Sequence, residues 1–89
     1  MPKGEIYQEL GEFLKEAREK AGMTQKEVSE KLGYTSAQYV SNYERGDCPP
    51  PFHFIPMLTQ LYKLTQKEVT EVYLRCMRTK MENSFKEFE

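Results

Sequence analysis

Two amides in an uncharged run are the residues of this chain best suited to reading another molecule. From Tyr34 to Tyr43 the sequence Tyr-Thr-Ser-Ala-Gln-Tyr-Val-Ser-Asn-Tyr carries no charge, whereas a solvated helix ordinarily shows Lys and Glu on its outer face. With Val40 as origin and about 100° per residue, Tyr43 and Glu44 fall near its side, and Gln38 and Asn42 point roughly the other way. A carboxamide offers a donor and an acceptor together, the pattern that matches the N6 and N7 edge of adenine in the DNA major groove. The same residues also fit an ordinary polar helix face, or a Gln38 that folds back to complete a capping box with Thr35.

A second signal is a pair of charges in apolar positions. Arg18 continues the i+4 ladder of Ile6, Leu10 and Leu14, and Glu44 lies on the inward side beside Val40. Ions are almost never left unpaired inside a protein. Either both bend outward to the rim, or they meet and lock the first helix onto the third; the meeting is the expectation. Other chemistry is thin. The single histidine, His53, sits among prolines and aromatics with no Ser, Cys or carboxylate partner, which fits helix-start packing or a phosphate contact. Cys48, His53 and Cys76 are too few and too scattered for a zinc site, and no glycine-rich phosphate loop is present. No catalytic residue, metal, cofactor or small-molecule substrate is therefore expected.

The elements that must position these groups are helices, and the expected fold class is all-α. At 89 residues the chain is one domain with one core. Ile6, Leu10, Leu14 and Ala17, with Phe13 and Ala21, predict a first helix that stops at Gly22. Thr24-Gln-Lys-Glu27 is a capping box opening a second helix through Val28 and Leu32 to Gly33. Tyr34-Thr-Ser36 turns the chain, and a third helix with Ala37, Val40 and Tyr43 inward ends at Arg45-Gly46. Asp47-Cys-Pro-Pro-Pro51 is a stiff connector. Phe52, Ile55, Leu58 and Tyr62 predict a fourth helix, with Pro56 its weak point unless the helix begins there. A second box, Thr65-Gln-Lys-Glu68, opens a fifth helix through Val69, Val72, Tyr73, Cys76 and Met77. Thr-Gln-Lys-Glu-Val thus occurs twice, and because its flanks differ it reads as two uses of one capping device and not as a repeat.

Residues 73 to 89 form a helical extension in which Tyr73, Cys76, Met77, Met81, Phe85 and Phe88 recur at steps of three to five. Such a stripe wants a partner: either its own domain, if the helix folds back, or a second copy, if it is a dimer seam. No stretch approaches the roughly 20 apolar residues of a membrane span, the start Met-Pro-Lys-Gly lacks a signal peptide's apolar run, and two isolated cysteines fit reduced thiols. A cytoplasmic protein is expected. The net charge of -1 runs against nucleic-acid binding, unless Lys15, Lys20, Lys26 and Arg45 form one positive face.

The run Leu14-Lys-Glu-Ala-Arg18, Gly22-Met-Thr-Gln25, Val28-Ser-Glu-Lys-Leu-Gly33 and Val40-Ser-Asn-Tyr-Glu-Arg-Gly46 resembles the lambda-repressor-like family of Cro and phage-repressor helix-turn-helix domains, the XRE type, over about residues 8 to 72. The resemblance implies a five-helix bundle, here with an extended C-terminal helix, in residues 1 to 72 and 73 to 89 respectively. It implies a transcriptional regulator, a repressor that binds operator DNA as a homodimer with half-sites about one helical turn apart. By position it assigns Gln25 to a backbone phosphate, Gln38 and Asn42 to base edges, and Ala37 to the first helical position of the reader. Lys26, Ser36, Tyr39, Ser41 and Arg45 complete the implied DNA-binding set, and Arg18 and Glu44 match a buried ion pair. Three features depart from the family. Twelve residues separate Gly33 from Gly46, one more than usual, which places an extra residue in the turn at Tyr34 to Ser36. Asp47 and prolines stand where relatives often carry cations, and Lys63 replaces a usual Gly before the last helix. The competing expectation is a protein-interaction module that kept this fold without the DNA, which the acidic balance and Asp47 would suit.

Overall fold

The computed structural model describes residues 4–88. Residues 1–3 and 89, the outer edges of the two expected segments, lie outside the described residues. The apolar ladder of the N-terminal segment forms α1 (Gly4–Lys20), followed by α2 (Gln25–Lys31) and α3 (Gln38–Glu44). A 3-10 turn at Phe52–Phe54 leads into α4 (Ile55–Leu61), and α5 (Gln66–Glu87) closes the chain. The fold is all-helical, with five α-helices and no strand among the described residues.

Local chemistry sets the helix ends. Thr24 and Thr65 each accept from the backbone N–H three residues on, while Glu27 and Glu68 reach back to the threonine N–H, so both capping boxes are complete. Pro56 sits in the first turn of α4, where its missing N–H has no helical partner to lose. The first four helices end alike: a residue with positive φ lets two backbone N–H groups fold back onto the last-turn carbonyls. Gly22, Gly33 and Gly46 serve at the first three, but at the fourth it is Lys63, at φ 56°. The departure from glycine noted in the sequence is thus a lysine held in a left-handed conformation.

These helices share one core built from Leu10, Leu14, Val28, Leu32, Val40, Tyr43, Leu58, Tyr62, Val72 and Cys76. Full burial of one such aliphatic side chain contributes about 1.5–3 kcal/mol. The crossing of α1 and α3 depends on Gly11, where a Cβ would stand 2.5 Å from the carbonyl oxygen of Tyr43 and 2.6 Å from that of Glu44. Nothing larger than hydrogen fits between these helices as they lie, and that closeness carries the end of α3 to Arg18.

The turn with the extra residue leads directly into α3. Residues 35–37 form a bend, and α3 starts at Gln38 with Ala37 as its N-cap, without a side-chain cap. Ala37 is therefore the N-cap, one position before the first helical position expected of it.

The C-terminal helix divides its apolar residues between two faces. Val72 and Cys76 are buried, Cys76 donating its thiol hydrogen to the Ile6 carbonyl at 3.1 Å, and Arg75 pairs with Glu9 at 3.0 Å. Lys80 lies over the Tyr7 ring. On the other side Leu74, Met81, Phe85 and Phe88 remain 59–95% exposed. Cys48 and Cys76 are free thiols. Among the described residues no helix is long and apolar enough to cross a membrane.

Candidate nucleic-acid interface

The interface rests on a buried ionic junction. Arg18 donates from Nε to Oε2 of Glu44 at 2.7 Å and from Nη2 to Oε1 at 3.2 Å. Its remaining arm, Nη1, donates to the Met23 carbonyl at 2.8 Å, and the Gln25 amide donates to the same Glu44 Oε1 at 2.9 Å. Arg18 is 8% exposed and Glu44 4%. An ion pair this deep is tolerated because its geometry is bidentate and each partner makes one further hydrogen bond. The Glu44 hydrogen bond holds the Arg18 pKa above its ordinary value, against the opposing effect of burial. One junction thereby ties α1, the turn after it, the first residue of α2 and the last residue of α3.

Below the junction, Tyr43 is almost wholly buried with its hydroxyl 3.5 Å from that of Tyr62. Burial raises the pKa of both phenols, so neither ionises near neutral pH. The inner face of α3 is thus packed into the core through Val40, Tyr43 and Glu44, and its opposite face is turned away from it.

That outer face carries Gln38, Ser41, Asn42 and Arg45, at positions i, i+3, i+4 and i+7, which share one side of a helix. They form a continuous network. Gln38 Nε2 donates to Asn42 Oδ1 at 2.8 Å, Arg45 Nη2 donates to the same oxygen at 2.8 Å, and Arg45 Nη1 donates to Ser41 Oγ at 3.1 Å. Arg45 also pairs with Asp47 Oδ2, through Nη2 at 2.8 Å and Nε at 3.1 Å. Gln38 thus turns along its own helix and not back to Thr35; its backbone N–H reaches Ser36 Oγ at a long 3.4 Å. Asp47, anticipated only as a weak feature of the connector, is part of this face. The offsets 38, 42 and 45 could have revealed the network in the sequence, but Asp47 joins it through the turn at Gly46.

The other expected site residues fall around it. Gln25 is half-buried and already engaged with Glu44, with one amide hydrogen and Oε1 left over. Lys26 and Ser36 are exposed and Ala37 is half-buried. Tyr39 is not on the network: its ring stacks on Tyr34 at 5.1 Å and meets Tyr43 edge-on at 6.3 Å, part of an aromatic cluster that extends to Phe54. His53 is exposed with its ring 4.3 Å from that of Phe54. Lys15 borders the same shallow groove as Gln25 and Arg45, along with Glu12 and Asp47. Lys20 does not join them; it lies close enough to Glu68, at the start of α5, to add to the hydrogen bonds from Thr65 that lower that carboxyl's pKa.

Comparison with known proteins agrees with this architecture. A family model described as a helix-turn-helix domain matches residues 9–72. The chain is also 46% identical over 56 residues to the HTH-type transcriptional regulator ImmR of Bacillus subtilis (strain 168), a stretch that covers 63% of this chain and 43% of that protein. The chain thus spans less than half the length of this relative. No solved structure matches it. With its matched segment running from the first turns of α1 into α5, the chain belongs to the helix-turn-helix domain family, of the lambda-repressor-like, XRE-type kind.

Proposed function

We propose that this protein is a cytoplasmic, sequence-specific DNA-binding transcriptional regulator, a repressor that occupies its operator as a homodimer. The observation that carries the reading is the contrast between the two faces of α3. The inner face is locked by Val40, Tyr43 and Glu44, and the outer face offers amides, a hydroxyl and one guanidinium without an apolar residue among them. Such a face suits hydrogen bonding to base edges, where carboxamides and Arg are the usual readers. Gln25 supplies a phosphate contact through its remaining amide hydrogen, with Lys26 and Lys15 adding charge along the same flank. The similarity to the Bacillus subtilis transcriptional regulator supports the same reading.

The dimer places Leu74, Met81, Phe85 and Phe88, the apolar residues that α5 leaves exposed, against a second copy. Binding of randomised duplexes at low salt, followed by selection of a preferred site, tests the proposal. A selected twofold-related motif that Gln38→Ala and Asn42→Ala each relax at one position per half-site supports it. A chain that enriches no sequence would leave the fold serving as a protein-interaction module.

A further inference from the structure

The hydrogen-bond chemistry of the outer network determines which way its amides face. Arginine has donors only. The Asn42 atom 2.8 Å from Arg45 Nη2 is therefore its oxygen, and the Gln38 atom that meets that same oxygen at 2.8 Å is its nitrogen. Two donors use both lone pairs of one carbonyl oxygen. Asn42 is left with the two hydrogens of Nδ2 and no acceptor, whereas Gln38 keeps Oε1 and one N–H. Arg45 is held in turn by Ser41 and Asp47, and Asp47 is placed by its own backbone N–H, which donates to the Asn42 carbonyl at 3.0 Å where α3 ends.

We propose that Arg45 is a specificity-setting positioning residue: by holding the Asn42 carbonyl it makes Asn42 a donor-only reader, which selects guanine over adenine at the base pair it faces. Gln38 keeps the donor and acceptor pair that suits adenine. In the major groove guanine shows two acceptors, N7 and O6, whereas adenine shows one acceptor and the N6 donor. The second amide hydrogen of Asn42 meets an acceptor on guanine and an opposing donor on adenine. This assignment rests on the DNA-reading function proposed above and adds a base identity to it, one that an Asn free to turn over would not have.

Randomised-site selection with the full chain, Asn42→Ala, Arg45→Ala and Asp47→Ala decides it. The position that Asn42→Ala relaxes is expected to be guanine for the unaltered chain, preferred over adenine roughly ten-fold. With Arg45→Ala, Asn42 and Gln38 can turn over together, and the preference at the Asn42 position falls toward parity while positions that neither amide faces keep theirs. Asp47→Ala, which loosens Arg45 without removing a cation, shifts the same position in the same direction; it decides the matter if Arg45→Ala binds too weakly to select. Adenine at that position for the unaltered chain overturns the assignment and leaves DNA reading intact. So does an Arg45→Ala variant that loses affinity for all duplexes alike with its base preference unchanged, since Arg45 is then a phosphate contact. A chain that enriches no sequence overturns both.

Discussion

The pentapeptide Thr-Gln-Lys-Glu-Val opens two helices, at 24–28 and at 65–69, and the two copies share local structure but not role. The N-cap threonines have nearly the same backbone, φ -84° and ψ 160° against φ -88° and ψ 152°, and both capping boxes close. Val28 and Val69 are both buried. Yet Gln25 is half-buried and bound to Glu44, whereas Gln66 is exposed. Five identical residues thus specify how a helix starts, and the element packed against that start specifies what its second residue does. What α2 has and α5 lacks at this point is an ionic junction.

The most damaging way to break the comparison is to remove that junction. Glu44→Ala leaves the Arg18 guanidinium buried without its counter-ion, and stranding one partner of such a pair costs on the order of 3 to 5 kcal/mol. For a domain of this size, whose whole stability is about 5–15 kcal/mol, that is a large share, and the melting midpoint is expected to fall by more than about 10 °C. A thermal melt checks this, and an unchanged midpoint would remove the junction as the tie between α1 and α3.

The next effect separates the two glutamines by binding. Gln25→Ala is expected to weaken binding to a selected site and to unrelated duplex by similar factors, roughly ten-fold for one hydrogen bond to a charged oxygen. Gln66→Ala, on an exposed position of the other copy, should change neither. Titrations with both duplexes measure this. A Gln25→Ala variant that altered base preference would place Gln25 among the base readers.

Much of this arrangement was legible in the sequence, and the exceptions share a cause. Both capping boxes, the glycine helix ends and the inward Glu44 follow from spacings of three and four, because each concerns neighbours along one helix. That Arg18 and Glu44 would meet could be argued from the cost of burying either alone. Gly11 carries no such signal, since nothing local distinguishes a glycine that admits another helix from one that merely interrupts an apolar ladder; its reason lies in the carbonyls of Tyr43 and Glu44. Sequence alone places Arg45 in the DNA-binding set and Asp47 in the connector without joining them, because their pairing depends on the turn at Gly46 that folds one back toward the other. Tyr39 lay on the polar run by sequence, but its ring belongs to the Tyr34 stack.

Where the copies agree, they should respond alike. Thr24→Ala and Thr65→Ala each remove one cap, at a cost of about 1 kcal/mol, which corresponds to a fall in melting temperature of about 4–8 °C for a domain of this size. Unequal losses would show that the setting of α2 reaches into its cap. The carboxylates of the same boxes predict a pH dependence. Hydrogen bonds from Thr24 and Thr65 hold Glu27 and Glu68 below the ordinary carboxylate pKa. Protons therefore bind the unfolded chain more readily, and the stabilisation is fully present above the unfolded value of about 4.3 and fades as pH falls through the lowered folded values. Melts at pH 7 and pH 3 should show a Glu27→Gln, Glu68→Gln variant less stable than the parent at the first and closer to it at the second.

The smallest effect lies one residue beyond the shared five, and its sign is the reverse. Ser29 follows Val28 and is wholly buried, and among the described residues Ser29 Oγ has no hydrogen-bond partner; Thr70 follows Val69 and is exposed. A buried hydroxyl without a partner forfeits its hydration and gains no bond in exchange. Alanine removes that atom, leaves a void smaller than a methyl group, and has the higher helix propensity. Ser29→Ala is therefore expected to stabilise the domain, by about 0.5–1 kcal/mol. Thr70→Ala, whose hydroxyl stays in water, gains the propensity difference alone, a few tenths of a kcal/mol. Denaturant midpoints for the two variants order them. If Ser29→Ala proves less stable than the parent, its hydroxyl has a partner in solution, and the two copies differ at this position in bonding as well as in burial.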